Sequence, residues 1–159
     1  MKTILIISTI FTYNLFAQNN YSTSSDWLTE TKINEQKFEK IQRQFRGFDL
    51  AMVEVGYRFN TLYFAIKNKN YDLAHYNLDK IKKTIENGIQ RRPKRQKNSK
   101  SMFLDTQYKA MKKALNSENV EKIQKEYLTT KQVCNSCHVA ENVPFIHVVD
   151  PEYRWQPIK

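Results

Sequence analysis

The sequence predicts an all-α protein, an antiparallel up-down-up-down four-helix bundle with an extended C-terminal tail, on three observations. Only 3 Gly and 4 Pro occur among 159 residues, while the helix formers Lys, Glu, Leu and Gln are plentiful. No stretch of the body alternates apolar and polar residues as a half-buried strand would. Apolar residues recur instead at steps of three and four, in segments separated by two tight turns and one longer polar linker.

Residues 1–17 (MKTILIISTIFTYNLFA) place one Lys ahead of an apolar run and end on a small residue before Gln18, the organisation of a signal peptide. The run is shorter than the roughly 20 apolar residues of a bilayer span. Leu15 is not the small residue preferred two places before the cleavage site, so an uncleaved anchor is the alternative. Residues 18–32, rich in Asn, Ser and Thr, read as a flexible lead-in, with Trp27 and Leu28 placed to dock on the body. No later segment could span a membrane, so none is expected in the mature chain, which would be periplasmic or otherwise exported.

The helical domain is expected over residues 33–141. Phe38, Ile41, Phe45, Phe48, Met52, Val55, Phe59, Leu62 and Ile66 form an unbroken seam, which predicts one helix of about 33 residues, about 50 Å long. Gly47 and Gly56 lie inside it, each disfavoured by about 1 kcal/mol relative to Ala, and suggest close approach of another group. NKNYD at residues 68–72 is a turn, with Asn70 the N-cap of a second helix through Leu73, Leu78, Ile81, Ile85 and Ile89. Pro93 stops it, and RRPKRQKNSKS links to a third helix from about Met102 through Tyr108 and Met111 to Leu115. NSEN leads to a fourth, through Val120, Ile123, Tyr127 and Cys134, with Pro144 beyond its end. The tail, residues 142–159, is expected to pack extended on the bundle.

A net charge of +10 raises nucleic acid, anionic lipid or an acidic protein as partners. Export argues against nucleic acid, and the basic residues spread over whole helices apart from a cluster at Arg91–Lys97, so an acidic redox partner met by electrostatic steering fits best. Paired carboxylates, a nucleophile–base pair and a Gly-rich phosphate loop are all missing from the sequence, so nothing in it points to an enzyme.

Two cysteines occur, Cys134 and Cys137, and with His138 they spell CNSCH. This is the attachment pattern of a c-type haem: the thiols add to the two vinyl groups and the neighbouring imidazole reaches the iron. On a helix all three side chains can address one macrocycle, so one covalent haem c is the expected cofactor, with His138 the proximal iron ligand. Rival readings are a redox-active dithiol, which needs a βαβ setting absent here; a zinc site, which needs further ligands; and a strained disulfide.

A signal peptide, four helices and CNSCH near the end of the last one together resemble the cytochrome c-prime family, over residues 33–141. The specific part of the resemblance is CNSCH and its position. It implies a periplasmic haem protein, either five-coordinate or with a distal Met from the first helix. The chain departs from the family in its long linker at Arg91–Lys100 and in its tail past Pro144.

Level counting addresses the distal side. If Asn119 stands level with Lys67 in an antiparallel pair, His138 falls level with Phe48, and Phe45 and Met52 are within about a turn. Of these only Met52 can donate to iron, which makes it the candidate distal ligand, with Phe45 and Phe48 lining the haem pocket; an ordinary core Met is the bland alternative. His75 and His147 are weaker rivals. Arg91 and Arg92 are candidate contacts for the haem propionates, although a basic helix end favoured by the helix dipole explains them equally well. The expected role is a single-electron carrier. A five-coordinate gas-binding or sensing protein is the alternative, and the 9 Tyr and 9 Phe leave room for pairing with a second copy.

Overall fold

The computed structural model describes residues 28–158. The expected signal peptide and the lead-in as far as Trp27 lie outside the described residues. Regular structure among the described residues is entirely helical. The chain divides into two compact units, Met1–Ile41 and Gln42–Lys159. In the first, Lys40 Nζ donates to Thr31 Oγ1 at 2.6 Å, and helix α1 (Asn34–Gln44) begins there.

The single helix expected from the Phe38–Ile66 seam is instead two, α1 and α2 (Phe48–Lys67). The break has a local cause. Arg46 adopts a left-handed φ of 55° and ion-pairs with Asp49, whose Oδ1 accepts the Gly47 N–H at 3.0 Å. A carboxylate thus satisfies a backbone donor where α2 starts. A Cβ on Gly47 would lie 3.1 Å from Arg92 Nε, so this glycine does admit a close neighbour; Gly56, given the same role, has nothing within 4 Å.

Asn70 caps α3 (Tyr71–Arg91) as its sequence indicates, accepting the Leu73 N–H at 3.0 Å. The linker expected at residues 91–100 is itself helical. A 3₁₀ turn (Pro93–Arg95), α4 (Gln96–Asn98), a π-helix (Ser99–Gln107) and α5 (Tyr108–Asn116) follow one another without interruption. Pro93 ends α3 but stands at the first position of the next helical turn, where its missing N–H would have no partner anyway. Asn119 caps α6 (Val120–Ala140), accepting the Lys122 N–H at 2.9 Å.

Leu62, Leu78, Met111, Leu115 and Ile123, at most 1% exposed, draw α2, α3, α5 and α6 onto one core, with Phe103 and Leu104 added by the π-helix. Each such side chain contributes about 1.5–3 kcal/mol relative to exposure. The result is a bundle of four helical segments. No described helix is long and apolar enough to cross a membrane.

Candidate metal centre

The interior stripe of α6 runs Ile123, Tyr127, Thr130, and the same helical spacing carries it on to Cys134 and Cys137. Beyond Thr130 no residue of α6 is fully buried. Both cysteines are free thiols. Burial pushes the Cys134 thiol up to about 12, with the neighbouring Cys137 adding to the effect. Burial also raises the Cys137 thiol, as does the charge of Glu141, which Arg95 opposes. Both therefore stay protonated at neutral pH, which is the reverse of a reactive dithiol. Among the described residues no group of three or more His, Cys, Asp or Glu side chains could hold a metal ion.

His138 faces a different partner. Its Nδ1 lies 2.6 Å from the Ile146 carbonyl oxygen. A carbonyl can only accept, so Nδ1 is the donor, and in the neutral ring the lone pair is then on Nε2. Metal-ligating histidines are held in this way, with the second nitrogen bound to a carbonyl or carboxylate. Nε2 of His138 is the atom that could take an axial position on a haem iron, and the two adjacent thiols are the groups that could add to its vinyl groups.

The tail makes that contact. After α6, Asn142 takes a left-handed φ of 61° and the Val143 N–H returns to the His138 carbonyl at 2.9 Å, a helix-closing turn. The chain then runs back along the bundle. Asn135 pairs with both backbone groups of Val148, donating to its carbonyl at 3.0 Å and accepting its N–H at 2.7 Å. Asp150 accepts from Lys131 at 2.8 Å and from Tyr127 at 3.1 Å. Asn60 of α2 repeats the amide clamp on the Tyr153 carbonyl at 3.0 Å and the Trp155 N–H at 3.2 Å.

The basic cluster reaches the same end of α6. Arg95 pairs with Glu141, and Asn98 donates to the same carboxylate at 2.9 Å. Arg91 donates to the Phe45 carbonyl and Arg92 to that of Arg91, both at 2.8 Å. Arg95 is therefore the arginine of the cluster that meets the helix carrying CNSCH.

On α2, Phe48 and Met52 are half-buried against the core. Phe48 and Ala51 sit tight against Gly88 of α3, where an added Cβ would come within 3.0 Å of the Phe48 ring. Phe45, in the turn before α2, is 58% exposed. Higher up, Phe59 stacks on Tyr127 with ring centroids 5.2 Å apart. The groove lined by Tyr63, Ile66, Tyr71, Ile123, Tyr127 and Leu128 lies toward the start of α6, away from CNSCH. His75 is half-buried in α3 and His147 is exposed in the tail.

Asn135, Ile146 and Glu141 are the members of this site that sequence reasoning missed. The one local signal was Asn as the first residue between the two cysteines. No protein-family model, curated protein or solved structure matches this chain.

Proposed function

We propose that this chain is an exported mono-haem c-type cytochrome, an antiparallel up-down-up-down bundle of cytochrome c-prime type, that carries single electrons. The observation that carries the reading is the His138 Nδ1–H bond to the Ile146 carbonyl, which leaves Nε2 of the neutral ring as the free ligating atom on the helix that carries the Cys134 and Cys137 thiols. Cys134 and Cys137 would hold the haem covalently and His138 would ligate its iron. When bound, the group supplies a one-electron couple.

The Phe59–Tyr127 stack supports Met52 as the distal ligand. In an antiparallel pair, seven residues on from Tyr127 is Cys134 and seven back from Phe59 is Met52. On that register Met52 would stand level with Cys134 and about one turn from His138. A thioether there favours the reduced state. The half-open interior beside it, with Met52, Val55 and Cys137 only half-buried, suits an inserted apolar plane. Phe45 and Phe48 would flank it, and Arg95 is better placed than Arg91 or Arg92 for a propionate.

A second reading, a five-coordinate gas-binding or sensing haem protein, draws on the packing of Met52 against the core, as an ordinary core Met packs. Covalent attachment is common to both readings. Produced alongside haem-attachment machinery, the chain should keep its colour through acid-acetone extraction and a denaturing gel. Cys134→Ala with Cys137→Ala should abolish it. A colourless wild type under those conditions would overturn both.

A further inference from the structure

We infer that Asn135 is a positioning residue that fixes the tautomer of His138 through the tail it clamps. The inference rests on the reading of His138 as the axial ligand. Neutral imidazole in water prefers to carry its proton on Nε2, the atom a haem iron would need. The fold reverses that preference by holding one carbonyl, that of Ile146, 2.6 Å from Nδ1.

The Ile146 carbonyl has no place in a helix or sheet, so its position depends on what holds the tail on either side. Upstream, the Val143 N–H bonds to the His138 carbonyl at 2.9 Å and the Ile146 N–H bonds to that of Val143 at 3.0 Å. Downstream, the first fixed point is Val148, and both of its backbone groups bond to the Asn135 amide. Asn135 stands one turn before His138 on α6, so the helix that presents the imidazole also presents the clamp. A primary amide suits this position because it offers a donor and an acceptor in one plane, as a neighbouring peptide would. Asp lacks the donor. The Asn60 clamp holds only Tyr153 and Trp155, farther along the tail, and serves as the control.

The test uses the full-length chain labelled with ¹⁵N, produced without haem attachment, and long-range ¹H–¹⁵N correlation of the His138 ring at mildly alkaline pH. Wild type should hold the Nδ1–H form in at least about tenfold excess. Asn135→Ala should return the ring to the Nε2–H preference of free histidine, Asn135→Asp should fall between, and Asn60→Ala should match wild type. In the haem-loaded chain, Asn135→Ala should raise the reduction potential, since an imidazole without its Nδ1–H bond is the poorer donor. An Asn135→Ala chain of wild-type helicity that keeps the Nδ1–H form overturns the inference, as does a wild type in the Nε2–H form. If Asn135→Ala fails to fold, Asn135→Asp decides by the same criterion. Failure of the cytochrome reading looks different: wild type holds no covalent haem whatever the tautomer of His138.

Discussion

The same substitution at two helical glycines should move stability in opposite directions. Gly56 in α2 has nothing within 4 Å of an added Cβ, whereas at Gly88 in α3 the new methyl would lie 2.9 Å from the Ala51 Cβ and 3.0 Å from two carbons of the Phe48 ring. Gly→Ala inside a helix gains about 1 kcal/mol at either position. At Gly56 nothing opposes the gain. At Gly88 the contacts are with a short side chain on the facing helix and with a packed ring, and overpacking of this kind costs about 1–3 kcal/mol. Gly88→Ala should therefore destabilise by a net of up to about 2 kcal/mol, and the two variants should differ by about 1–3 kcal/mol. With a urea m-value of about 2 kcal/mol per molar, Gly56→Ala should raise the unfolding midpoint by about 0.5 M and Gly88→Ala should lower it. An equal rise in both midpoints would mean that α2 and α3 do not meet at Ala51 and Phe48 as described.

Three further outcomes are expected. Because burial raises the Cys134 thiol from its ordinary 9.0 to about 12, its contribution to stability should be complete below about pH 9 and lost as pH rises toward 12. The urea midpoint of the free-thiol chain should fall faster across that window than that of Cys134→Ser, and parallel profiles would contradict the burial of the thiol. If Met52 is the distal ligand, Met52→Ala in the haem-loaded chain should give a high-spin spectrum, a lower potential and ready carbon monoxide binding. It should cost the half-buried core about 2 kcal/mol; a wild type that is already high-spin and unmoved by the change would hand the role to the gas-binding reading. Association with an acidic redox partner should slow steeply as ionic strength rises, given the net charge of +10, and a rate indifferent to salt would count against steering.

The start of α3 was legible in the sequence. Asn70 announces it because an amide oxygen placed to accept from an amide three residues on is a local device; Asn119 caps α6 in the same way, though only the NSEN turn was legible there. The break before α2 was hidden for a related reason. Phe45, Phe48 and Met52 keep the three-and-four spacing across it, and spacing reports side-chain phase, not backbone continuity. What ends α1 is the left-handed turn at Arg46, a residue with no special preference for it. The segment from Arg91 to Ser101 was misread because its charges and its proline suggest a linker, while Ser99, its buried member, is not apolar. Of the candidate site, CNSCH was visible as a motif. The partner of His138 was not, since it is a backbone carbonyl brought in by a tail whose side chains take no part in the bond.

The π-helix has a consequence for angular phase. Ser99, Phe103, Gln107, Met111 and Leu115 are all buried, and they are spaced by fours throughout. On an α-helix of 3.6 residues per turn, every step of four overshoots a full turn by about 40°, so four such steps would carry the stripe nearly to the opposite side. The i→i+5 pattern of a π-helix winds more than four residues into each turn, so a step of four there falls short instead. The first half of the stripe, on Ser99–Gln107, drifts one way and the second half, on Tyr108–Asn116, drifts back. The two drifts offset one another and the buried line stays straight. The widened turns also set the azimuth of everything ahead of them. Arg95 and Asn98, whose side chains reach Glu141, lie just ahead of them.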